Sequence, residues 1–291
     1  MSLSKTTFGP FELYTIETGD FRLDGGAMFG VVPKTLWEKN IPADDKNRIP
    51  MTMRCLLIKS NNTDKVYLID NGAGTKFNDK MTEIYQLDQS DKNLKNSFEE
   101  HGFSFDDVTD IIFTHLHFDH CGGTSFYDEN SELKHTFENA EYHVVNSHWE
   151  TATDPNAREK ASFMPDNIKP IKDSGRLNLV GKNHEYEAGL SSFTVNGHTK
   201  GQQLPKITHN DKNIVFVADL IPTHVHVPLP WVMGYDMYPA QTLNEKNEFL
   251  QQAASENWNL YLEHDAEQEM IRIEEDNGKF KVSDHYTLND L

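Results

Sequence analysis

Ile111-Ile112-Phe113-Thr114-His115-Leu116-His117-Phe118-Asp119-His120-Cys121-Gly122-Gly123 joins a buried-strand pattern to three imidazoles and a carboxylate within six residues. An extended or turning backbone sends His115 and His117 to one side, and Asp119 and His120 then turn toward a second position nearby. Borderline cations such as zinc take imidazole nitrogen and carboxylate oxygen, so these are the atoms a metal site offers. A metal site is preferred here over a His-rich loop whose rings are satisfied by ordinary hydrogen bonds.

One cation wants at least four donors, and two cations need more than this loop supplies. Three residues later in the chain fit the shortfall, each after an apolar run that ends at a sheet edge: His198 after 193–195, Asp219 after 214–218 and His264 after 260–263. With the first motif they complete a set for two metals.

Working outward, short apolar runs bounded by turn residues predict strands over 11–16, 55–58, 66–69, 111–113, 142–145, 193–195, 214–217 and 260–262. Helices are predicted over 93–101 and 242–258, the second from a capping box of Thr242 with Glu245 and an apolar stripe of Leu243, Phe249, Leu250, Ala253 and Ala254. Asn277-Gly278 predicts a hairpin turn between 270–273 and 280–282. The polar, turn-rich stretch 146–188 reads as an elaborated surface connection in preference to a lid. Strand clusters mixed with helices fit a layered α/β architecture.

The 291 residues can bury a sizeable core, and we expect a single domain over 1–291. The 27 Lys+Arg against 46 Asp+Glu leave a net charge of -19, which repels phosphate backbones and anionic lipid and excludes nucleic acid and membrane surfaces as expected partners. Cys55 and Cys121 form no disulfide framework, and the N-terminal stretch lacks the apolar run of a signal peptide. A cytoplasmic location is the expectation.

His115-x-His117-x-Asp119-His120, Gly197-His198-Thr199, Asp219 and His264, with Leu68-Ile69-Asp70-Asn71-Gly72 before them, resemble the metallo-β-lactamase-fold hydrolases over roughly residues 50 to 265. The resemblance implies an αββα four-layer sandwich with a metal site at one edge between the sheets. It also implies that His115, His117 and His198 hold one cation, that Asp119, His120 and His264 hold the other, and that Asp219 bridges them, with Thr199 and Asp70 in support. The cations would be two divalent ions, zinc first, with manganese or iron(II) as alternatives.

Zinc β-lactamases usually carry a Cys where this chain has Asp219, which demotes antibiotic hydrolysis. Residues 24–33 and 219–236 resemble the branch of quorum-quenching lactonases and organophosphate hydrolases. That branch implies a bridging hydroxide that opens a lactone, of the acyl-homoserine-lactone kind, with Asp119 and Asp219 as the catalytic carboxylates. A phosphotriester or a thioester is the alternative substrate, and a non-hydrolytic redox role is disfavoured. A glutathione thioester would want a basic patch near the C-terminus, where acids prevail.

Met28, Phe29, His224 and Trp231 are the expected substrate contacts, with His226 on the same wall, and a homodimer is the expected assembly if any. Lys200 and Gln202 depart from the common Gly-His-Thr-Pro-Gly-His pattern. Pro222 stands where acyl-homoserine lactonases often have a catalytic tyrosine. Cys121 is expected to pack rather than react.

Overall fold

A computed structural model describes residues 3–291. The hydrophobic runs assemble into two seven-stranded sheets. The first has the order Lys5–Phe8, Phe11–Asp24, Arg48–Ser60, Val66–Ile69, Asp110–Ile112, Glu141–Val145, Leu177–Val180. The second runs His184–Glu187, Leu190–Val195, Gln202–His209, Lys212–Phe216, Asn259–Tyr261, Met270–Asp276, Lys279–Tyr286.

Central strands are apolar on both faces, as expected of strands covered on both sides. Leu56, Ile58 and Ile112 join Leu204, Phe216 and Leu260 in the core between the sheets, while Cys55, Leu57, Ile111 and Phe113 face outward under Phe98, Ala152 and Ile171. Leu94–Glu100 and Asn146–Thr153 cover the first sheet, and Pro239–Ser255 covers the second. The result is the αββα sandwich that the resemblance implied.

The predicted strands are present, but two are far longer than their apolar runs. Phe11–Asp24 and Arg48–Ser60 pair antiparallel along their length, through a bulge between Glu17 and Asp20. Polar residues hide this extension from a hydrophobicity reading because they satisfy one another. Buried Arg54 pairs with Glu17 at 3.0 Å, and Thr52 donates to the same carboxylate at 2.9 Å.

The long helix begins at Pro239 and ends at Ser255, so the Thr242–Glu245 capping box is corrected. Thr242 is buried, Leu243 is exposed, and the Glu245 carboxylate accepts from the Asn196 and Gly197 N–H groups. The terminal hairpin turns at Asn277 and Gly278, both with positive φ.

Direction explains where the site forms. Val66–Ile69 and Asp110–Ile112 are parallel. In the second sheet Leu190–Val195 and Lys212–Phe216 both oppose Gln202–His209, and Asn259–Tyr261 runs parallel to Lys212–Phe216. Val66–Ile69, Asp110–Ile112, Leu190–Val195, Lys212–Phe216 and Asn259–Tyr261 end at one edge, where Gln202–His209 begins, and the residues that follow them meet there.

Candidate metal centre

Each site residue sits on a short turn just past a strand. His117 caps the single turn Phe118–Cys121, which carries Asp119 and His120. Asp219 lies in the turn Ala218–Leu220, reached through Ala218 at a φ of 42°. That left-handed backbone is unusual for a residue with a side chain and is the kind of strain that functional sites retain.

The seven sequence-predicted residues are all buried and come together. One ligand atom from each of His115, His117, His198 and Asp219 falls within 4.8 Å of the others, and the same holds for Asp119, His120 and His264. Asp219 stands between the sets. Its Oδ2 is 3.0 Å from His198 Nε2 and 3.4 Å from both His115 Nε2 and His120 Nε2, while Oδ1 is 3.2 Å from His264 Nε2.

The outward nitrogens explain why the rings face as they do. His120 Nδ1 meets Asp70 at 3.0 Å, His198 Nδ1 meets Asp236 at 3.0 Å, and His264 Nδ1 meets the Thr52 carbonyl at 3.0 Å. His115 Nδ1 meets the Thr114 hydroxyl at 3.0 Å, and that hydroxyl donates to Asp70. His117 is turned the other way, with Nε2 3.3 Å from Glu159 and Nδ1 facing inward.

An acceptor at the outer nitrogen keeps the proton there, so the inner nitrogen of each neutral ring presents a lone pair. These lone pairs oppose one another: His115 Nε2 and His198 Nε2 lie 3.1 and 3.3 Å from His117 Nδ1, and His264 Nε2 lies 3.2 Å from His120 Nε2. Such a donor set demands positive charge at its centre, and two divalent cations fit it.

Without metal the charge must arrive as protons. Burial opposes a charge on His198 and His264, but the Asp219 carboxylate outweighs it and lifts them to about 10 and about 9. Burial also disfavours the Asp219 anion, yet His198, His264 and His120 hold its pKa well below the usual carboxylate range.

A cavity of about 380 Å³ opens above the cluster. Its walls are mainly apolar, from Leu23, Met28, Met51, Phe118, Met233 and Met237. Tyr85, Tyr235, Arg158, Glu159 and Ser162 add polar groups to the wall, and Asp119, Asp219, His117, His198 and His264 form its floor.

Of the expected substrate contacts, Met28 lines this cavity and the other three do not. Phe29 is fully buried behind it, stacked on Trp37 and on His226 with ring centroids 5.0 and 4.5 Å apart. Trp231 packs edge-on against Phe29 at 5.7 Å, and its carbonyl accepts from buried Lys246 at 2.8 Å. His224 is tied to Asp265 at 2.5 Å. These residues are corrected from wall to support: the apolar segments pack together into the core, and His226 Nε2 holds the Met28 carbonyl at 2.9 Å.

The stretch 146–188 is also corrected. Its turn Lys160–Ser162 supplies cavity wall, and Glu159 is buried beneath it against His117. Buried His148 is a strut, accepting from Leu116 N at 2.7 Å and reaching the Lys200 carbonyl at 2.9 Å. It thereby spans the two loops that carry His115, His117 and His198, and fixes the loop around the divergent Lys200. Glu159, Asp236, His148 and Glu263 carried no sequence signal beyond their residue types. Only adjacency to His264 could have drawn attention to Glu263, which lies 3.1 Å from His120 Nδ1.

Two facing sheets, outer helices and a His/Asp cluster at one edge define a metal-dependent hydrolase. The family model for the metallo-beta-lactamase superfamily matches residues 54–264, and the chain belongs to that superfamily. Among solved structures it is similar to a probable metal-dependent hydrolase from Staphylococcus aureus, with a TM-score of 0.85 and 26% identity over 97% of this chain and 98% of that one.

It is also similar to AidC, a dizinc quorum-quenching lactonase, with a TM-score of 0.81 and 23% identity over 99% of both chains. AbOPH, a hydrolase of the beta lactamase superfamily, matches with a TM-score of 0.80 and 19% identity over 98% of both. These last two likenesses speak to the fold. A search of the curated proteins finds no match to this sequence. Among the described residues no helix is long and apolar enough to cross a membrane.

Proposed function

We propose that this chain opens a neutral lactone bearing an apolar substituent, with two divalent cations, zinc first, held by His115, His117, His198 and Asp219 on one side and by Asp119, His120 and His264 on the other. The observation that carries this reading is the methionine-rich cavity standing directly over the cluster. Flexible methionine side chains adapt to an acyl chain. An anionic phosphomonoester would instead want a basic clamp, and Arg158 is the one Lys or Arg side chain lining the cavity. The lactonase fold neighbour supports the same reading.

Two cations held by these residues would supply an activated water at neutral pH and polarisation of the ester carbonyl. The chain's residues do the rest. Both Asp219 oxygens lie among the inward imidazole nitrogens, Oδ2 at 3.0 Å from His198 and Oδ1 at 3.2 Å from His264, so this carboxylate would be taken up in holding the metal pair. Asp119 touches His120 and His264 through Oδ2 alone, at 3.8 Å, and lines the cavity. On this reading Asp119 takes a proton from the attacking water and gives it to the alkoxide that leaves as the ring opens. The apolar walls exclude water from competing positions.

A phosphotriester is likewise neutral and is the second reading, favoured by the same mainly apolar walls. A lactone series of increasing acyl length separates the two. Each buried methylene is worth about 0.8 kcal/mol, so kcat/KM should climb roughly fourfold per methylene until the cavity is full. Met237→Ala should shift the break in that series, whereas Trp231→Ala should leave its position unchanged. A flat series, or a phosphotriester turned over faster than every lactone, sinks the lactone reading.

A further inference from the structure

His117 is the one ring of the cluster that offers Nδ1 inward, and its Nε2 is held by Glu159 at 3.3 Å. The same carboxylate accepts from the Thr199 hydroxyl, beside His198, and from Asn156 Nδ2 at 3.3 Å. Glu159 belongs to a segment whose neighbours face the substrate space. Glu159 itself reaches the cavity lining, as do Arg158, Ala161 and Ser162, and the Arg158 guanidinium donates to the carbonyl of Gly234, which also lines it.

We propose that Glu159 is a positioning residue that couples occupancy of the metal position formed by His115, His117 and His198 to closure of the cavity wall at 158–162. The proposal rests on reading the cluster as a two-metal centre. An outward swing of the wall would withdraw Glu159, leave the His117 N–H buried without its acceptor and free the ring to turn Nδ1 away. In the other direction, a cation on Nδ1 makes the Nε2–H a stronger donor and draws Glu159 in. Linkage requires the two effects to be equal: the factor by which the closed wall tightens the metal is the factor by which the metal favours the closed wall.

The test is zinc titration against a competing chelator for wild type, Glu159→Ala and Glu159→Gln, with amide hydrogen exchange of residues 155–162 followed with and without zinc. Wild type should bind two equivalents, and zinc should slow exchange in that segment. In Glu159→Ala one equivalent should weaken by about 10- to 100-fold while the other holds, and zinc should no longer protect the segment. Glu159→Gln keeps an acceptor oxygen for His117 and should recover most of the loss.

The urea midpoints of the metal-free proteins report any general damage to the fold, which would weaken both equivalents alike. Two equivalents bound by Glu159→Ala as tightly as by wild type would overturn the coupling, as would equal weakening of both or exchange in 155–162 that ignores zinc in wild type. A wild-type chain that binds no zinc pair would instead remove the two-metal reading itself.

Discussion

Cys121 abuts His120, yet its surroundings suit packing. The thiol is buried, donates to the Leu116 carbonyl at 3.3 Å, and is pushed up to about 12 by burial. A thiol that stays protonated at neutral pH is a poor nucleophile. Cys121→Ala should therefore keep kcat/KM within about twofold and cost about 1 kcal/mol of stability from the lost packing, read by urea unfolding. A dead variant with both metals bound would require a thiol mechanism. The metal-free chain offers a second check. His198 and His264 have pKa values of about 10 and about 9 when folded, above the roughly 6.5 of an unfolded histidine. Their stabilising protons are in place below about pH 6.5 and are lost as the pH rises through 9 to 10. Chelator-treated protein should accordingly have a higher urea midpoint at about pH 6.5 than at about pH 9.5, and zinc binding near neutrality should release protons that an indicator dye records. A midpoint that rises across that interval would show that the imidazoles are not charged by Asp219.

Turns and helix ends, rather than strands, decide whether the ligands meet. Glu245, read from the sequence as half of a capping box, lies inside its helix and spends its carboxylate on the N–H groups of Asn196 and Gly197, all at 2.9 Å. Those groups begin the loop that delivers His198. At Gly197 any Cβ would run into Thr242 of the same helix, so helix and loop are in direct contact. Glu245→Ala should leave two backbone donors without their partner, cost about 2 kcal/mol and weaken the metal position that uses His198, while Glu245→Gln should restore part of both. Equal zinc affinity for Glu245→Ala and wild type would show that the loop holds itself. The same residue illustrates what the sequence could and could not reveal. The strand-ending His and Asp residues were legible because a metal needs particular atoms and strands deliver them at a period that can be counted. Glu159, Asp236 and Glu245 act through contacts 42, 38 and 49 positions away in the chain, and among 46 acidic residues nothing local marks them. Met28 and Phe29 are adjacent and equally apolar, yet one lines the cavity and the other lies behind it, since the turn Gly25–Phe29 sends them in different directions.

The cluster is also a junction between the two halves of the sandwich. His115, His117, Asp119 and His120 follow a strand of the first sheet, whereas His198, Asp219 and His264 follow strands of the second. Each proposed cation takes donors from both, so binding requires the sheets to be docked, and the unfolded chain offers no comparable set. The chain's net charge of -19 adds a general attraction for cations but cannot select this site, because most of the acidic residues lie outside the buried set. Metal binding should therefore appear as folding stability. Free zinc at about a thousand times its dissociation constant would contribute about 4 kcal/mol per site, and for a chain of this size each kcal/mol moves Tm by roughly 2 to 4 °C. Removing metal with a chelator should lower Tm by roughly 8 °C or more, and the loss should be recovered in proportion to the logarithm of added zinc. Hydrogen exchange should locate the effect, with zinc protecting residues 113–124 of the first sheet's loop and 217–223 of the second's together. Protection confined to one of these loops would mean that the cation is held by one sheet alone, and the bridging role given to Asp219 would then have to be withdrawn.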